Sequence, residues 1–502
     1  MTGSPGRVGA DVPGAAIDPP TRERVSMLRL LRDNHRAYRG GPVAVAERQR
    51  ARLAAQVDYA RTRSPFYRQL YAGLPERVED PRRLPVTDKQ SLMDRFDDWV
   101  TDPAVTRQRV QEFVADPALI GQRLAGAHAD YVVATTSGTT GTRGLFLLDD
   151  HALQVANAIF VRWLADLLRP TALPRVLTRL ITNRGRVAMV VATGGHFAST
   201  AAAARLGATT SPASSSPGSG AGGGAGGGRV RLFDVATPLP ELVAQLNAFQ
   251  PALLAPYATT AALLATEQQA GRLRIHPALV ALAAEGLPEG EPARIAAAFG
   301  AVVGNSYAAT EVPFLSGSCR EGWLHVNADW AILEPVDAHH QPTPPGQQSH
   351  TVLVTNLANR VQPILRYDLG DSVLQRPDPC PCGNPLPAIR VQGRAADLLT
   401  FPTPTGRSVT VTPLTLSTRL DQLPGIALFQ IEQTTPTELL LRLRPAPGAD
   451  PEQTWTAAQR ELADLLTSSG LDHVSVRRAD QAPQPAASGK YRLVKPLGHP
   501  SS

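Results

Sequence analysis

The stretch PELVAQLNAFQPALLAPYATTAALLATEQQAG, residues 240–271, alternates between helical spacing and short, strand-like runs of its apolar residues. The alternation continues through PALVALAAEG, residues 277–286, and ARIAAAFGAVVGNSY, residues 293–307. Helices and strands in strict alternation are typical of an α/β layered domain. We therefore expect a largely parallel sheet covered by helices in this part of the chain.

The rest of the chain divides by pattern into four further sections. Residues 22–115 have apolar positions at helical spacing, and LPVTDK includes a Thr/Asp helix-start signal. Between Pro170 and Pro240, short apolar strands alternate with loops. A β-rich section follows from about residue 323 to 400. The last hundred residues combine strands with one helix, as expected of a small α+β domain.

A chain of 502 residues is too long for one ordinary core, so at least two domains are expected. We interpret residues 1–24 as a flexible leader, 25–396 as a large domain and 397–502 as a small, mobile C-terminal domain. The stretch SPASSSPGSGAGGGAGGG, residues 211–228, is a low-complexity Gly/Ser insertion that can hold no rigid site.

Composition excludes several classes of function. The hydrophobic content of 43% and charged content of 19% are typical of a globular protein. No run of eighteen apolar residues occurs, and the N-terminus lacks the apolar core of a signal peptide. The net charge of +6 comes from basic residues spread along the chain, without a dense run. We expect a cytoplasmic protein without nucleic-acid or membrane partners.

The strongest local signal for chemistry is TTSGTTGT, residues Thr135–Thr142, between the apolar runs DYVVA and GLFLL. The runs predict two strands, and the segment between them predicts a loop. Its hydroxyl and backbone N–H groups can wrap a phosphate chain. The Gly-Lys-Ser/Thr ending of a Walker loop is absent. The pattern favours a phosphate-binding loop over a plain polar turn.

Four short polar segments follow this loop in order. They are NSYAATE (305–311), RYDLGD (366–371), GRAAD (393–397) and SGK (488–490). Each segment alone is weak evidence, because Glu311 could be a surface carboxylate, Asp371 a turn residue and Arg394 half of an ion pair. All five segments in this order are not expected by chance.

Lysine is rare in this chain. Among 50 basic residues only Lys89, Lys490 and Lys495 are lysines, and the others are arginines. A compact ammonium is not interchangeable with a guanidinium. Each lysine therefore raises the question of whether its chemistry is required, although chance retention on the surface is expected for at least one of them.

The five segments together resemble the core motifs of the adenylate-forming superfamily of acyl-CoA synthetases and nonribosomal adenylation domains. The compact length and LPVTDKQSLMDRFDDWVTDP, residues 84–103, are similar to its phenylacetate–CoA ligase branch. The resemblance spans roughly residues 25–495. It implies ATP-dependent activation of a carboxylic acid to an acyl-adenylate with release of pyrophosphate, followed by transfer to the thiol of CoA.

The resemblance also implies roles for single residues. The phosphates of ATP would be held by Thr136, Ser137, Gly138, Thr139, Thr140 and Gly141. Tyr307 would pack on adenine, with Ser306 and Glu285 as further nucleotide-binding candidates. Thr310 would contact the α-phosphate, and Glu311 would hold Mg²⁺. The ribose hydroxyls would bind Asp371, with Arg394 nearby.

Lys490, on the small domain, is the implied catalytic lysine. Adenylation brings a carboxylate to the α-phosphorus, so a cation on a movable arm can offset the charge that develops. Asp397 lies where the family has its hinge. Rotation there would remove Lys490 after adenylation and admit the thiol.

Cysteine placement raises the possibility of a metal site. Three Cys without a secretion signal do not make a disulfide framework. Cys319, His325, Cys380 and Cys382 provide three thiolates and one imidazole, a complete set for tetrahedral zinc. Spacing alone equally allows a plain Cys-Pro-Cys turn and an unrelated histidine. The resemblance favours structural zinc, because phenylacetate–CoA ligase relatives have a matching set.

The acyl pocket is the least defined part of the prediction. By resemblance it includes His196, Phe197, Tyr257 and Asn305, and an aryl or small aromatic acid is the default substrate. Other acceptors stay open: a carrier-protein phosphopantetheine, an amine or another nucleophile. The enzyme could also stop at nucleotidyl transfer. A non-catalytic remnant is disfavoured, because Glu311, Asp371, Arg394 and Lys490 are all present. Oligomeric state is not predicted.

Overall fold

The computed structural model describes most of the chain. The described residues are 26–136, 144–168, 172–193, 196, 209–210, 229–235, 237–283, 290–313, 315–394, 399–403, 408–411, 413, 416, 419–420, 423–484 and 492–497.

Six helices form the N-terminal section, as the sequence predicts. They are α1 (Met27–Arg39), α2 (Gly41–Arg63), α3 (Pro65–Leu70), α4 (Lys89–Asp94), α5 (Phe96–Trp99) and α6 (Arg107–Ala115). The predicted start signal is a capping box: the Asp88 carboxylate accepts from the Ser91 N–H at 2.7 Å, and the Ser91 hydroxyl accepts from the Asp88 N–H at 3.3 Å. Two donors at the start of the helix are thereby satisfied.

A three-stranded antiparallel sheet follows, consisting of β1 (Arg123–Ala125), β2 (Asp130–Thr135) and β3 (Leu145–Leu148). The two strands predicted on either side of the phosphate segment are confirmed as β2 and β3. The segment between them, residues 137–143, lies outside the described residues. Helix α7 (Asp150–Leu167) follows, and its N-cap residue Asp149 accepts a hydrogen bond from the Ala152 N–H through its carboxylate.

Among its described residues, the central part of the chain contains thirteen more strands and four helices. The strands are β4 (Val187–Val191), β5 (Thr209–Thr210), β6 (Val230–Asp234), β7 (Leu253–Pro256), β8 (Leu279–Ala283), β9 (Val302–Tyr307), β10 (Ser316–Ser318), β11 (Leu324–Val326), β12 (Ala331–Val336), β13 (Thr351–Asn356), β14 (Tyr367–Asp368), β15 (Asp371–Gln375) and β16 (Ala388–Arg394). The helices are α8 (Leu173–Thr182), α9 (Leu239–Phe249), α10 (Ala258–Gln269) and α11 (Glu291–Phe299).

Ten of these strands form one sheet with the order β15-β16-β11-β10-β9-β8-β7-β4-β6-β5. The half from β9 to β5 is parallel, and the half from β9 to β15 is antiparallel. The largely parallel sheet predicted for residues 240–307 is confirmed, because β7, β8 and β9 are parallel neighbours; the antiparallel half of the sheet consists of strands within residues 316–394. The connection from β9 to β10 has eight residues, too few for the crossover that a parallel neighbour requires, so β10 turns back.

One helix contradicts the prediction from the sequence. Residues 170–240 were expected to be strands and loops, but residues 173–182 form α8. Its apolar residues Leu173, Val176, Leu177 and Leu180 have helical spacing, and Pro174 lies in the first turn, where proline is favoured. This signal was present in the sequence.

The two largest hydrophobic cores among the described residues of 26–394 support the sheets. One joins the N-terminal helices to β1–β3 and to the β-rich section. In it the Trp99 indole and the Tyr67 hydroxyl both donate to the Pro363 carbonyl, at 2.8 and 2.9 Å. The other core packs α9, α10 and α11 against the parallel strands. The layered α/β architecture follows from this burial of one face of each helix.

The side chain of Trp163 on α7 lies flat against β9 and β10. A Cβ atom added to Gly317 would lie 2.4 Å from Trp163 Cδ1, and one added to Gly304 would lie 2.5 Å from Trp163 Cζ2. The indole Nε1 donates to the Ser318 carbonyl at 3.0 Å. The helix can approach the sheet this closely because both strand positions lack a side chain.

The C-terminal residues form a separate core, in the mixed arrangement that the sequence predicts. Its elements are β17 (Leu399–Pro402), β18 (Ser408–Val411), β19 (Ile426–Thr435), β20 (Glu438–Pro445), α12 (Pro451–Ser468), β21 (Ser475–Arg478) and β22 (Val494–Lys495). Four strands make a sheet in the order β21-β20-β19-β22, and α12 packs its apolar face against this sheet.

Among the described residues, no helix combines the length and the apolar character needed to cross a membrane.

The packing of Trp163 makes a testable prediction. Gly317→Ala should lower the free energy of unfolding by about 1–3 kcal/mol, because the added methyl group overlaps the indole. Gly73→Ala is the matched control, since a Cβ there has no atom within 4 Å. Thermal and denaturant unfolding of both variants measures the difference. Equal stability of the two would show that α7 does not approach the sheet this closely.

Candidate functional site

Several predicted site residues lie at the carboxyl ends of the parallel strands. Tyr257 follows β7 and pairs with Ala283 at the end of β8, and Ala283 pairs with Ser306 in β9. These three residues form one row across the sheet. In open α/β sheets the crevice outside the carboxyl ends of the strands is where ligands bind. The row therefore marks one edge of a candidate site.

Tyr307 and Asp371, 64 positions apart in the sequence, meet at this edge. The Tyr307 hydroxyl donates to Asp371 Oδ2 at 2.6 Å. Asp371 is buried at the start of β15 and pairs across the ladder with Arg394. A bulge in β16 at Gly393, where φ is +120°, precedes this pairing. The structure thus brings together the predicted adenine-side and ribose-side residues.

Glu311 is held by a second tyrosine. The Tyr367 hydroxyl donates to Glu311 Oε1 at 3.1 Å, and both side chains are buried, with 3% and 7% of their surfaces exposed. The Glu311 backbone carbonyl accepts from Asn356 Nδ2 at 3.0 Å. Burial, and next the negative charge of Glu311, raises the pKa of Tyr367, so the phenol keeps its proton and acts as donor.

The remaining residues of β9 and its following turn have mixed surroundings. The Ser306 hydroxyl donates to the Leu282 carbonyl at 3.4 Å. The Asn305 N–H donates to Ser318 Oγ at 2.8 Å, whereas its buried Oδ1 accepts no hydrogen bond from any described residue. Thr310 is half-buried in the turn beyond Tyr307. The Oδ1 atom of Asn305 is thus a buried hydrogen-bond acceptor next to the row formed by Tyr257, Ala283 and Ser306.

His196 and Tyr257 also have structural roles. The Thr135 N–H donates to the His196 carbonyl at 2.6 Å, and the His196 ring packs on Phe113 with 5.2 Å between centroids. The Tyr257 hydroxyl accepts from the Ala192 N–H at 3.2 Å. Both residues lie beside strand ends that border the candidate site. These contacts are sufficient to explain why both residues are buried, so their burial is not evidence of a role in substrate binding.

Some predicted site residues lie outside the described part of the chain. They are Ser137, Gly138, Thr139, Thr140, Gly141, Phe197, Glu285, Asp397, Lys490 and the side chain of Arg394. Their assignments remain predictions from the sequence.

The structure brings the four predicted zinc ligands together. One ligand atom from each of Cys319, His325, Cys380 and Cys382 lies within 4.8 Å of the others. Cys319 Sγ and Cys380 Sγ are 3.8 Å apart, and Cys382 Sγ and His325 Nε2 are 3.2 Å apart. Zn–S bonds of about 2.3 Å in a tetrahedron separate two sulfurs by about 3.8 Å. The donor set and its spacing fit a zinc ion.

Two features prepare this cluster to bind a metal. Both turns that present the cysteines contain a glycine with positive φ, Gly322 at +73° and Gly383 at +84°. The His325 Nδ1 faces the Leu386 carbonyl at 2.8 Å, which leaves Nε2 toward the thiols. Burial lowers the pKa of His325, which keeps the imidazole neutral as metal binding requires.

Burial also opposes ionisation of two of the thiols. It raises the pKa of Cys319, and it raises the pKa of Cys382 to about 12; at Cys382 the neighbouring Cys380 and Cys319 add to the effect. A divalent cation bound among them would reverse this, because a coordinating thiol is deprotonated.

Sequence reasoning did not single out Tyr367, Asn356 or Leu386 as supports of the site. Tyr367 lies inside the RYDLGD segment, so a signal for it was available. Asn356 and Leu386 act through hydrogen bonds to backbone or ring atoms, and their types and spacing give no such signal.

No protein-family model matches the sequence, and no curated protein sequence matches it significantly. The similarity is structural: the chain has the fold of the adenylate-forming acyl-CoA ligases, including a C-terminal domain. It resembles 2-hydroxyisobutyryl-CoA ligase in the postadenylation state in complex with 2-HIB-AMP, with a TM-score of 0.59 and 21% identity over 91% of this chain and 89% of that chain. The same ligase with 2-HIB-AMP and CoA, in the thioesterification state, gives 0.52 and 22% over 92% of each.

The Glu311–Tyr367 contact makes a stability prediction. Tyr367→Phe removes a donor from a buried carboxylate and should lower the free energy of unfolding by about 1–3 kcal/mol. Tyr59→Phe is the control, because the half-buried Tyr59 hydroxyl has no hydrogen-bond partner among the described residues. Denaturant unfolding at neutral pH compares the two. A Tyr367→Phe protein as stable as the Tyr59→Phe protein would contradict the pairing.

Proposed function

We propose that this protein is an AMP-forming acid–thiol ligase. It activates a carboxylic acid with ATP, releases pyrophosphate and transfers the acyl group to the thiol of CoA. We infer that residues 25–396 form the adenylate-forming domain and residues 397–502 the small domain that closes over it. An aryl or small aromatic acid is the proposed substrate class.

The observation that carries the proposal is the pairing of Tyr307 with Asp371 at the carboxyl ends of the parallel strands. An aromatic ring and a carboxylate held together there suit a nucleoside, the ring packing on the base and the carboxylate accepting from ribose hydroxyls. The fold supports the same reading, because the similar ligase structures were obtained with an acyl-adenylate bound.

The chemistry assigns the remaining residues. A carboxylate oxygen of the acid attacks the α-phosphorus, and the bond from this phosphorus to the bridging oxygen breaks, so pyrophosphate leaves with the electron pair. The thiol then loses its proton and attacks the acyl carbon, and the bond from this carbon to the phosphate oxygen breaks, so AMP leaves. Thr310 contacts the α-phosphate, and Lys490 offsets the charge that develops around it. The segment 136–141 binds the other phosphates.

Glu311 fits a magnesium ligand. Mg²⁺ prefers carboxylate oxygens, and a buried carboxylate is stabilised by an opposite charge. Tyr367 fixes the orientation of this carboxylate through Oε1. When bound, Mg²⁺ supplies positive charge to the phosphates of ATP.

Cys319, His325, Cys380 and Cys382 are the proposed ligands of a structural zinc ion. Four protein ligands leave no open position for a substrate, so the ion would have no part in the reaction. It would instead join two parts of the sheet. Cys380 and Cys382 lie in the loop between β15 and β16, and His325 lies in β11.

The proposed activity is tested by acid-dependent pyrophosphate exchange. A panel of aryl, amino-aryl and aliphatic acids is assayed with MgATP, then with CoA and mass detection of the products. We expect exchange with at least one aryl acid and its CoA thioester when CoA is added. If no acid supports exchange, the ligase proposal is wrong. Exchange without a thioester would indicate another acceptor.

Lys490→Ala should reduce exchange by about 100- to 1,000-fold, because one charge aimed at the transition state is lost. ATP binding should persist. Lys495→Ala is the control, since this lysine lies in β22 of the C-terminal sheet. Near-normal exchange in the Lys490 variant would show that the catalytic lysine has been misassigned.

The zinc proposal predicts about one zinc per chain in protein purified without chelator. Loss of a hydrogen-bond partner of a metal ligand typically weakens metal binding about 10- to 100-fold. His325→Gln removes one of the four ligands themselves, so zinc affinity should fall by more than this. His339→Gln, at an exposed histidine, is the control. Metal analysis and chelator competition measure both variants. Absence of zinc with three freely reactive thiols would contradict the site.

A further inference from the structure

The parallel strands end, opposite the candidate nucleotide site, in an amino-terminal edge. Their first residues form one row in register: Val187 of β4 pairs with Val230 and Leu253, Leu253 pairs with Leu279, and Leu279 pairs with Val302. The candidate site lies at the carboxyl ends of the same strands. A partner bound at the amino-terminal edge would therefore not compete with a nucleotide.

Helix α8 is attached to this edge by polar side chains. Arg179 Nη1 donates to the Pro277 carbonyl at 2.8 Å and to the Gly300 carbonyl at 2.6 Å, just before β8 and β9. Asn183 Nδ2, directly after the helix, donates to the Pro251 carbonyl at 3.2 Å, just before β7. The helix thus turns polar groups toward the protein, whereas a surface helix ordinarily turns its apolar stripe inward.

The outward side of α8 is apolar. Leu173, Leu177, Leu180 and Ile181 are between 36% and 77% exposed, and their helical spacing places them in one stripe. Of the apolar residues of this helix, only Val176 is buried. Single apolar residues are normal on a protein surface, but a contiguous stripe indicates an interaction site.

The same edge is strongly basic. The described residues that lead into β4, β6 and β8 include NRGR (183–186), Arg229 and GRLRIHP (271–277). They contain five arginines, one histidine and no acidic residue. Glu267, at the end of α10, is paired with Arg272 at 2.6 Å. The remaining positive charge has no dense run in the sequence, because the fold gathers it from separate segments.

These basic segments lie beside the end of α8. The Val187 N–H donates to the Arg229 carbonyl at 2.7 Å, and Asn183 Nδ2 donates to the His276 carbonyl at 3.1 Å. Arg184 and Arg229 are both exposed. We use the name α8 surface for the apolar stripe of α8 together with Arg184, Arg186, Arg229, Arg272 and Arg274.

We propose that the α8 surface binds an anionic phospholipid membrane. An apolar stripe bordered by basic side chains suits the interface of a bilayer, where the stripe enters the acyl boundary and guanidinium groups bind lipid phosphates. Such peripheral binding needs no spanning helix. It departs from the expectation, based on composition, of no membrane partner. It does not depend on the ligase chemistry.

Other occupants fit the charge and the apolar stripe less well. A second copy of the chain would bring two basic edges together, and like charges repel. The segment 211–228, which leads directly to Arg229, contains neither a large apolar residue nor an acidic one. It therefore complements neither the stripe nor the arginines.

The experiment measures binding of the full-length protein to vesicles by flotation. One set of vesicles is phosphatidylcholine alone, and the other has equal parts of phosphatidylcholine and phosphatidylserine. We expect binding to the mixed vesicles that weakens at high salt, because salt screens the arginines. No binding to the mixed vesicles at low salt would overturn the proposal, and would leave an acidic protein as the partner.

Variants separate the apolar and the charged contributions. The double variant Leu177→Gln, Ile181→Gln should weaken binding about 10- to 100-fold, because two apolar side chains no longer enter the lipid. Arg184→Gln and Arg229→Gln should each weaken it about 5-fold. Val43→Gln is the matched control, since Val43 is 70% exposed on α2. A loss in this control equal to that of the double variant would overturn the assignment to α8.

The double variant also tests the other occupants. Its free energy of unfolding should equal that of the wild type, because both side chains are exposed and glutamine suits a helix. A loss of stability would show that part of this chain covers the stripe, which would overturn the proposal. So would a wild-type dimer in sedimentation that the double variant abolishes, because the stripe would then bind a second copy.

Discussion

Strand β9 is hydrogen-bonded to a parallel neighbour on one side and to an antiparallel neighbour on the other. Asn305 and Ser306 pair with Leu282 and Ala283 of β8, and Tyr307 pairs with Ser316 of β10. Because both edges are paired, the strand cannot slip by a residue without reversing the faces of all its side chains. The direction in which Tyr307 points, and so its contact with Asp371, depends on this double ladder.

Buried amides connect this strand's surroundings to strand β3. Asn356 donates to the Glu311 carbonyl, Asn359 donates to the Leu147 carbonyl at 2.8 Å, and Gln362 accepts from the Leu147 N–H at 2.6 Å. Leu147 belongs to β3, the strand that follows residues 137–143 in the sequence, whereas β2 precedes them. Buried polar groups of this kind are stable only when each has a partner. The three amides therefore join β3 to the turn that bears Glu311.

The sequence predicted what depends on local pattern or on residue chemistry. The helices and strands between residues 240 and 307 follow from their apolar spacing, and the Cys and His set follows from the ligand preferences of zinc. What it could not show were contacts between distant residues. Tyr367 and Glu311 are 56 positions apart, and no spacing rule indicates that a phenol would meet that carboxylate. The antiparallel half of the sheet follows from the short connection between β9 and β10. That connection can be recognised as too short for a parallel crossover only when the bounds of both strands are known.

The β15–β16 hairpin is restrained at both ends. At its closed end, Cys380 and Cys382 lie with Cys319 and His325, and at its open end Asp371 pairs with Arg394. The chain continues from Arg394 toward β17 and the C-terminal core. A strand anchored in this way cannot slide along its neighbour. A change in the path of the chain beyond Arg394 would therefore leave the carboxylate of Asp371 and its hydrogen bond with Tyr307 in place.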